Sequence, residues 1–299
     1  MSVLLAMVLD AIFGEPKWLW SRFPHPAVLM GKCVSFIDTN FNQGSHRKDK
    51  GIASFAILVV MFALLGKGLQ DLPGVWAEAI VGAMLLAQKS LVEHVSDVAK
   101  GLRTSVEAGR ASVAMIVGRD TAELDEPAVA RAAIESAAEN FSDGVLAPLF
   151  WFAVGGLPSL LIYKITNTAD SMIGYRTPRH EQFGWAAARF DDLLNLIPAR
   201  LTAILFVAPK PNLWQFSPIR KDAGLHRSPN AGWPEAALSR VLGIALSGPR
   251  AYHGEMSDYP WVNADGRKDA AAEDVDHAVR ELWRAWGIAF IVILGITFI

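Results

Sequence analysis

Three stretches of the chain gather carboxylates, amides and cations in patterns able to hold a polyanion and its metal. The first carries Arg131, Glu135, Ser136, Glu139, Asn140, Asp143 and Gly144. Residues three and four apart are neighbours on a helix, so Arg131, Glu135, Glu139 and Asp143 fall along one side. On a solvated helix such a row is an ordinary salt-bridged face. Here it runs into the apolar stretch from Val145 to Phe152, where charge is expensive unless it meets a partner or a cation. Magnesium, a hard ion that favours carboxylates and ligand phosphates, is the natural partner.

The pattern repeats between Tyr163 and Arg176, where Asn167 and Asp170 share a helical face and Lys164 and Arg176 bracket them. It repeats again from Arg189 to Arg200, where Asp191 or Asp192 pairs with Asn195. One such cluster would be a loop cap. Three, each abutting an apolar segment and each with a nearby Arg or Lys, point to one polyanion and metal site at a membrane face. Upstream, Gly118, Arg119, Asp120 and Thr121 read as a turn opening a helix with Arg119 placed for phosphate, although a structural turn is the commoner meaning. Downstream, the run from His226 through Asn230 to Pro234 and the run from Gly248 to Gly254 are turn chemistry. The seven histidines show no zinc-type spacing, and the chain has no phosphate loop with Gly-Lys-Ser/Thr.

The elements that must position these groups are apolar. Of 299 residues, 52% are hydrophobic and 19% charged, against the quarter usual for a soluble domain. There is no Ser/Gly-rich or Pro-rich linker and no internal repeat, so the chain reads as one unit. A net charge of −2 gives no electrostatic case for nucleic acid. The single Cys33 excludes an internal disulfide and reads as a passive thiol. The N-terminal segment lacks a basic leader and a cleavage site and reads as retained.

Candidate spans are Ile52 to Gly66, Val75 to Val92 and Trp286 to Ile299, with Val3 to Phe13 a weaker fourth. Two further apolar stretches are interrupted: Gly144 to Tyr163 by Pro148 and by Gly155 to Pro158, and Leu196 to Ala208 by Pro198 and Arg200. Such breaks are tolerated at membrane depth only where protein or a wet cavity covers the freed backbone groups. The loop from Gly14 to Gly51 carries six Lys and Arg and is assigned to the cytoplasm. The expected fold is all-α, a polytopic membrane helical bundle with broken or re-entrant segments and cytoplasmic helical loops, in the cell inner membrane.

Taken together these residues resemble the CobD/CbiB family, adenosylcobinamide-phosphate synthases of cobalamin biosynthesis. The matching motifs run from Leu9-Asp10, Gly14-Glu15-Pro16 and His25-Pro26 through Val117 to Thr121, Ala133 to Ser136, Glu139-Asn140 and Asp143-Gly144. They continue with Ala147 to Phe150, Gly156 to Pro158, Tyr163-Lys164, Asn167-Thr168 and Asp170 to Met172. Gly174-Tyr175, Asp191-Asp192, Asn195, Pro198 to Arg200, Ser228 to Pro234 and Gly248 with Tyr252 and Gly254 complete them.

The resemblance implies an ATP-dependent amide ligase that joins adenosylcobyric acid, a corrinoid, to an aminopropanol or ethanolamine phosphate through an acyl phosphate. It implies Mg²⁺ on Glu139, Asp143, Asp170 and Asp192, and phosphate contacts from Arg119, Lys164, Arg176 and Arg200. Asn140, Asn167, Asn195 and Asn230 would bind substrate, and Glu135 or Asp191 would take the proton of the attacking ammonium. Cytoplasmic ATP then favours re-entrant segments at Gly144 to Tyr163 and Leu196 to Ala208. The lipid bilayer is an expected partner, and further copies of the chain or other cobalamin-assembly enzymes are possible ones. Two rival readings are a membrane prenyltransferase that holds magnesium diphosphate and a non-enzymatic membrane sensor of the same ancestry.

Overall fold

The computed structural model describes residues 1–298 apart from 119, 215, 253, 254 and 258. The helices are α1 Ser2–Phe13, α2 Lys17–Trp20, α3 Pro26–Phe41, α4 Arg47–Gln70, α5 Trp76–Leu85, α6 Gln88–Thr104 and α7 Val106–Val113. They continue as α8 Glu126–Phe141, a π-helical turn Ser142–Leu146, α9 Ala147–Ile173, α10 Trp185–Leu194, α11 Leu196–Val207, α12 Phe216–Ala223, α13 Gly232–Leu242 and α14 Ala272–Thr297. The chain is mostly helical, as an all-α fold requires, with little strand among the described residues. Four short strands, β1 Leu246–Ser247, β2 Arg250–Tyr252, β3 Glu255–Ser257 and β4 Trp261–Val262, form two antiparallel ladders. The chain divides into two compact units: Met1–Lys89, Asp143–Leu196 and Ile293–Ile299 in the first, and Ser90–Ser142 and Ile197–Val292 in the second.

In the first unit α4 packs along α9 and α1 packs on α5, while α10 lies on α9 and α4. Helix α9 is two arms. Gly155 and Gly156 leave helical geometry, Gly156 with φ 65° and ψ −157°, and the arm from Leu157 returns so that Tyr163 meets Ala147 and Leu194 in one buried cluster. A left-handed φ of this kind suits glycine, and Pro158 follows immediately. The backbone N–H freed at the break is satisfied, because Leu157 N donates to Gln70 Oε1 at 3.0 Å. The return arm runs beside α4. A Cβ on Gly66 would lie 2.7 Å from Pro158 Cα, and one on Gly51 would lie 2.0 Å from the Phe183 carbonyl oxygen. Only glycine permits this approach.

Several expected elements differ. The span from Val75 to Val92 is not continuous: α5 ends at Leu85, Leu86 is extended, and α6 starts at Gln88. The cause is Asp10, whose carboxylate accepts the Gln88 N–H at 2.9 Å and so caps a new helix. The stretch from Leu196 is an unbroken helix, because Pro198 falls in its first turn, where no intrahelical N–H is needed. The turn at Gly118 does not open a helix. The Asp120 carboxylate instead accepts from Ala122 N, and α8 begins eight residues after Gly118, where Asp125 caps Ala128 N at 2.9 Å. The apolar stretch from Trp286 is the end of the 26-residue α14 rather than a separate element.

In the second unit α8 is surrounded by α7, α13 and β1. Its alanines 130, 132, 133, 137 and 138 are fully buried, which lets neighbours approach closely. The Phe141 and Phe206 rings lie tilted with centroids 5.4 Å apart, and Asp222 ties Arg240 to the backbone N–H of Asn263. Among the described residues two helical stretches are long and apolar enough to cross a membrane, Arg47–Gln70 and Glu126–Ile173, the latter containing the break at Gly155. Helix α4 shows Ile57, Val60 and Leu64 more than half exposed, an outer face suited to lipid rather than water.

Candidate functional site

In the first unit the two acidic clusters of α9 and α10 are brought together. Asn195 Nδ2 donates to Asp191 Oδ2 at 2.9 Å, and Asn167 Nδ2 reaches Asp191 Oδ1 at 3.5 Å. Tyr163 Oη lies 3.1 Å from Asn195 Oδ1 and 3.0 Å from the Asp143 carbonyl oxygen, so its hydrogen is shared between two acceptors. Burial, with the charge of nearby Asp170, pushes the Asp191 carboxyl up to about 7, against the pull of Asn195 and Asn167. Burial also raises Asp192, with Arg189 and Arg176 opposing it. Asp170 feels the charge of Asp192 and packs against Gly174, where a Cβ would meet its Oδ1 at 2.0 Å.

Beside these carboxylates opens a cavity of about 340 Å³ lined by Gly174, Arg176, Glu181, Trp185, Arg189 and Asp192. Two guanidiniums and two carboxylates facing one space suit a phosphate chain with its cation. Asp170, Asp191 and Asp192 carry hard oxygen donors of the kind Mg²⁺ takes, but among the described residues the ligand atoms that converge within 4.8 Å are those of Glu139, His226 and Glu235.

Lys164 is half-buried within electrostatic reach of Asp143 and Glu15. His25 faces the same group. Its Nδ1 accepts Ala27 N at 3.2 Å and caps α3, and burial, then Lys164, lowers its proton affinity while Glu15 opposes. Spacing alone gave no signal for Glu15 or His25, since each stands far from the acidic clusters in sequence. Their presence among the family-like motifs was the signal.

The second unit holds a different group. Glu139 of α8, His226 of the loop before α13, and Glu235 of α13 point their ligand atoms within 4.8 Å of one another. His226 Nε2 lies 3.7 Å from Glu139 Oε1 and 3.8 Å from Glu235 Oε1. His226 Nδ1 accepts the Ser228 N–H at 3.0 Å. Arg200 stacks on Trp233 at 4.8 Å and donates to Asn230 Oδ1 at 3.2 Å. His226 and Glu235 were missed because metal-type spacing was sought between histidines, whereas this group joins residues almost ninety positions apart.

The expected row on α8 separates. Arg131 donates to the Lys268 carbonyl and Glu135 Oε1 accepts Ser247 N at 2.7 Å, so both anchor the 247–268 segment. Glu139 turns to His226, while Asp143 stands in the π-helical turn, where the extra residue per turn takes it off the row. Asn140 Nδ2 is used locally, on the carbonyl and hydroxyl of Ser136. Of the four expected Mg²⁺ ligands, Asp143, Asp170 and Asp192 belong to the first unit and Glu139 to the second. Arg119 lies outside the described residues.

Comparison with known proteins places this chain. The profile of the CobD/Cbib protein family matches residues 3–282. A protein named cobalamin biosynthesis protein CobD from Sinorhizobium sp is 48% identical over 99% of this chain and 97% of its own length. Proteins of the same name from Rhizobium meliloti strain 1021 and Rhodobacter capsulatus are 48% identical over 96% of this chain and 93% of theirs, and 43% over 87% and 86%. No solved structure matches significantly. With a match running almost from end to end, the chain belongs to the CobD/CbiB family.

Proposed function

We propose that this chain acts in cobalamin biosynthesis as adenosylcobinamide-phosphate synthase, embedded in the cell inner membrane through α4 and the helical segments around the α9 hairpin. The observation that carries the reading is the cavity beside Asp192, where Arg176 and Arg189 face a carboxyl whose proton affinity burial raises. A carboxylate and an amine do not condense in water, so the acid must first be activated. The γ-phosphoryl group of ATP passes to an oxygen of the adenosylcobyric acid carboxylate, giving ADP and an acyl phosphate. The amine nitrogen then attacks the acyl carbon, the C–O bond to phosphate breaks, and the ammonium proton leaves to a base.

Arg176 and Arg189 hold and orient the phosphates, a positioning role that bidentate guanidiniums perform well. Asp170 and Asp192 would hold Mg²⁺, which when bound neutralises charge on the phosphates. Asp191 is fixed by Asn195 and Asn167 and has the proton affinity of a group able to exchange a proton near neutrality. Lys164, within electrostatic reach of Asp143 and Glu15, stands on the return arm. Arg200 donates to Asn230 in the second unit. A prenyl diphosphate enzyme would line its cavity with apolar side chains, whereas this one is lined by Arg176, Glu181 and Arg189.

The test is ligation by membranes containing the protein, given adenosylcobyric acid, Mg-ATP and either aminopropanol phosphate or ethanolamine phosphate, with the corrinoid read by mass spectrometry. Wild type yields adenosylcobinamide phosphate or its ethanolamine homologue, and Asp192→Asn and Arg176→Ala lose about 100-fold or more. Ligation by both variants at the wild-type rate rejects the reading.

A further inference from the structure

We propose that the groove between α3 and α4 holds one anionic phospholipid, with an acyl chain against its apolar lining and its charge answered by Lys50 and Lys32. The inference rests on the reading of α4 as a membrane span.

A cavity of about 630 Å³ opens between the two helices. Helix α4 lines it with a stripe that includes Lys50, Ile57 and Met61, and α3 faces it with Lys32, Phe36 and Phe41. Spacings of three, four and seven residues put such a stripe on one side of a helix. Ile57 stays 69% exposed and Phe36 61% exposed, so the folded chain leaves the groove uncovered. From Lys50 to Met61 runs about 16 Å of helix, close to half the thickness of a bilayer's hydrocarbon core. The apolar lining therefore follows α4 through the depth of one leaflet.

The charge in the groove has one sign. No carboxylate lines it, and among the described residues neither Lys32 nor Lys50 forms an ion pair. Lys50 Nζ donates to the Gln43 carbonyl at 2.8 Å, which holds the ammonium at the loop joining α3 to α4. That acceptor is neutral, so the full charge and two further hydrogens remain for a phosphate. Arg47 and Lys48 of the same helix end are turned elsewhere, to the Arg179 carbonyl and the Trp185 ring. This loop is the one whose lysines and arginines assign it to the cytoplasmic side, where anionic headgroups bind basic pockets between membrane helices. A second copy of the chain fits less well. Docked through the same patch, it would set lysines against lysines.

Cys33, the single cysteine of the chain, lines the groove and reports its occupancy. The experiment is alkylation of Cys33 by a water-soluble maleimide in the purified full chain in micelles, with increasing phosphatidylglycerol or phosphatidylcholine. Phosphatidylglycerol is expected to slow alkylation about 10-fold or more at a content where phosphatidylcholine slows it less than about 2-fold. The double variant Lys32→Gln, Lys50→Gln alters two exposed positions, and its rates are referred to its own lipid-free rate. It should need about 10-fold or more phosphatidylglycerol for the same protection. Equal protection by the two lipids overturns the site, since the groove then makes only ordinary contact with lipid. So does unchanged protection in the double variant. Protection that grows with protein concentration in lipid-free micelles assigns the groove to a second copy and also overturns it. The readings on which this rests fail separately. A chain that stays in solution once detergent is removed loses the membrane span, and a protected chain that does not ligate loses only the ligase.

Discussion

Replacing Gly51 by alanine should damage both stability and catalysis, and the size of each effect follows from one contact. An added Cβ would stand 2.0 Å from the Phe183 carbonyl oxygen, whereas real Cβ contacts stay beyond 3.0 Å. The backbone at Phe183 must therefore retreat by about 1 Å or more. Overpacking of this kind costs up to about 3 kcal/mol, and the better helix propensity of alanine returns about 1, for a net loss of about 2 kcal/mol. Gly68 on the same helix is the control. No atom lies within 4 Å of its added Cβ, so Gly68→Ala gains about 1 kcal/mol.

Phe183 and Gly184 lead directly into α10, which carries Asp191 and Asp192, so the displacement reaches the carboxylates. A shift of about 1 Å at a reacting group can cost about 100-fold in rate. Denaturant unfolding in mixed micelles, followed by the fluorescence of the ten tryptophans, measures the first effect. The ligation rate at saturating substrates measures the second. Equal stability shifts of the same sign in Gly51→Ala and Gly68→Ala would refute the packing argument.

Other expectations follow from single contacts. Gln70→Leu strands the Leu157 N–H at the α9 break and should cost about 1–3 kcal/mol, read as a lower unfolding midpoint. Asp125→Ala removes the cap of α8 and should cost about 1 kcal/mol in the same assay. His25 has a proton affinity lowered by burial, so below its ordinary value of 6.5 the unfolded chain binds more protons than the folded one. Stability is therefore full above pH 6.5 and declines as pH falls toward the folded value. His25→Gln should flatten that decline, and an unchanged slope would remove His25 from the buried group.

Much of this was legible in the residues. The small and polar row of α8, the glycine-proline break in α9 and the Asp-x-x-x-Asn spacing of α10 each state a local geometry, and the break and the spacing formed as read. The motifs also placed the chain in its family. What was hidden depends on partners distant in sequence. The apolar run from Val75 to Val92 reads as one helix until Asp10, nearly eighty residues away, captures the Gln88 N–H. The Arg131 to Asp143 row holds only while the helix keeps 3.6 residues per turn, and the π-helical turn at Ser142 ends that. His226 has no neighbour in sequence that marks it, because its carboxylates arrive from α8 and α13.

The acyl phosphate is open to a direct test by isotope. With both oxygens of the adenosylcobyric acid carboxylate labelled with ¹⁸O, wild-type protein forming the amide should release phosphate carrying one ¹⁸O, because the phosphoryl group leaves with the oxygen it took. Amide formation with unlabelled phosphate would contradict the chemistry assigned to Arg176, Arg189 and Asp192.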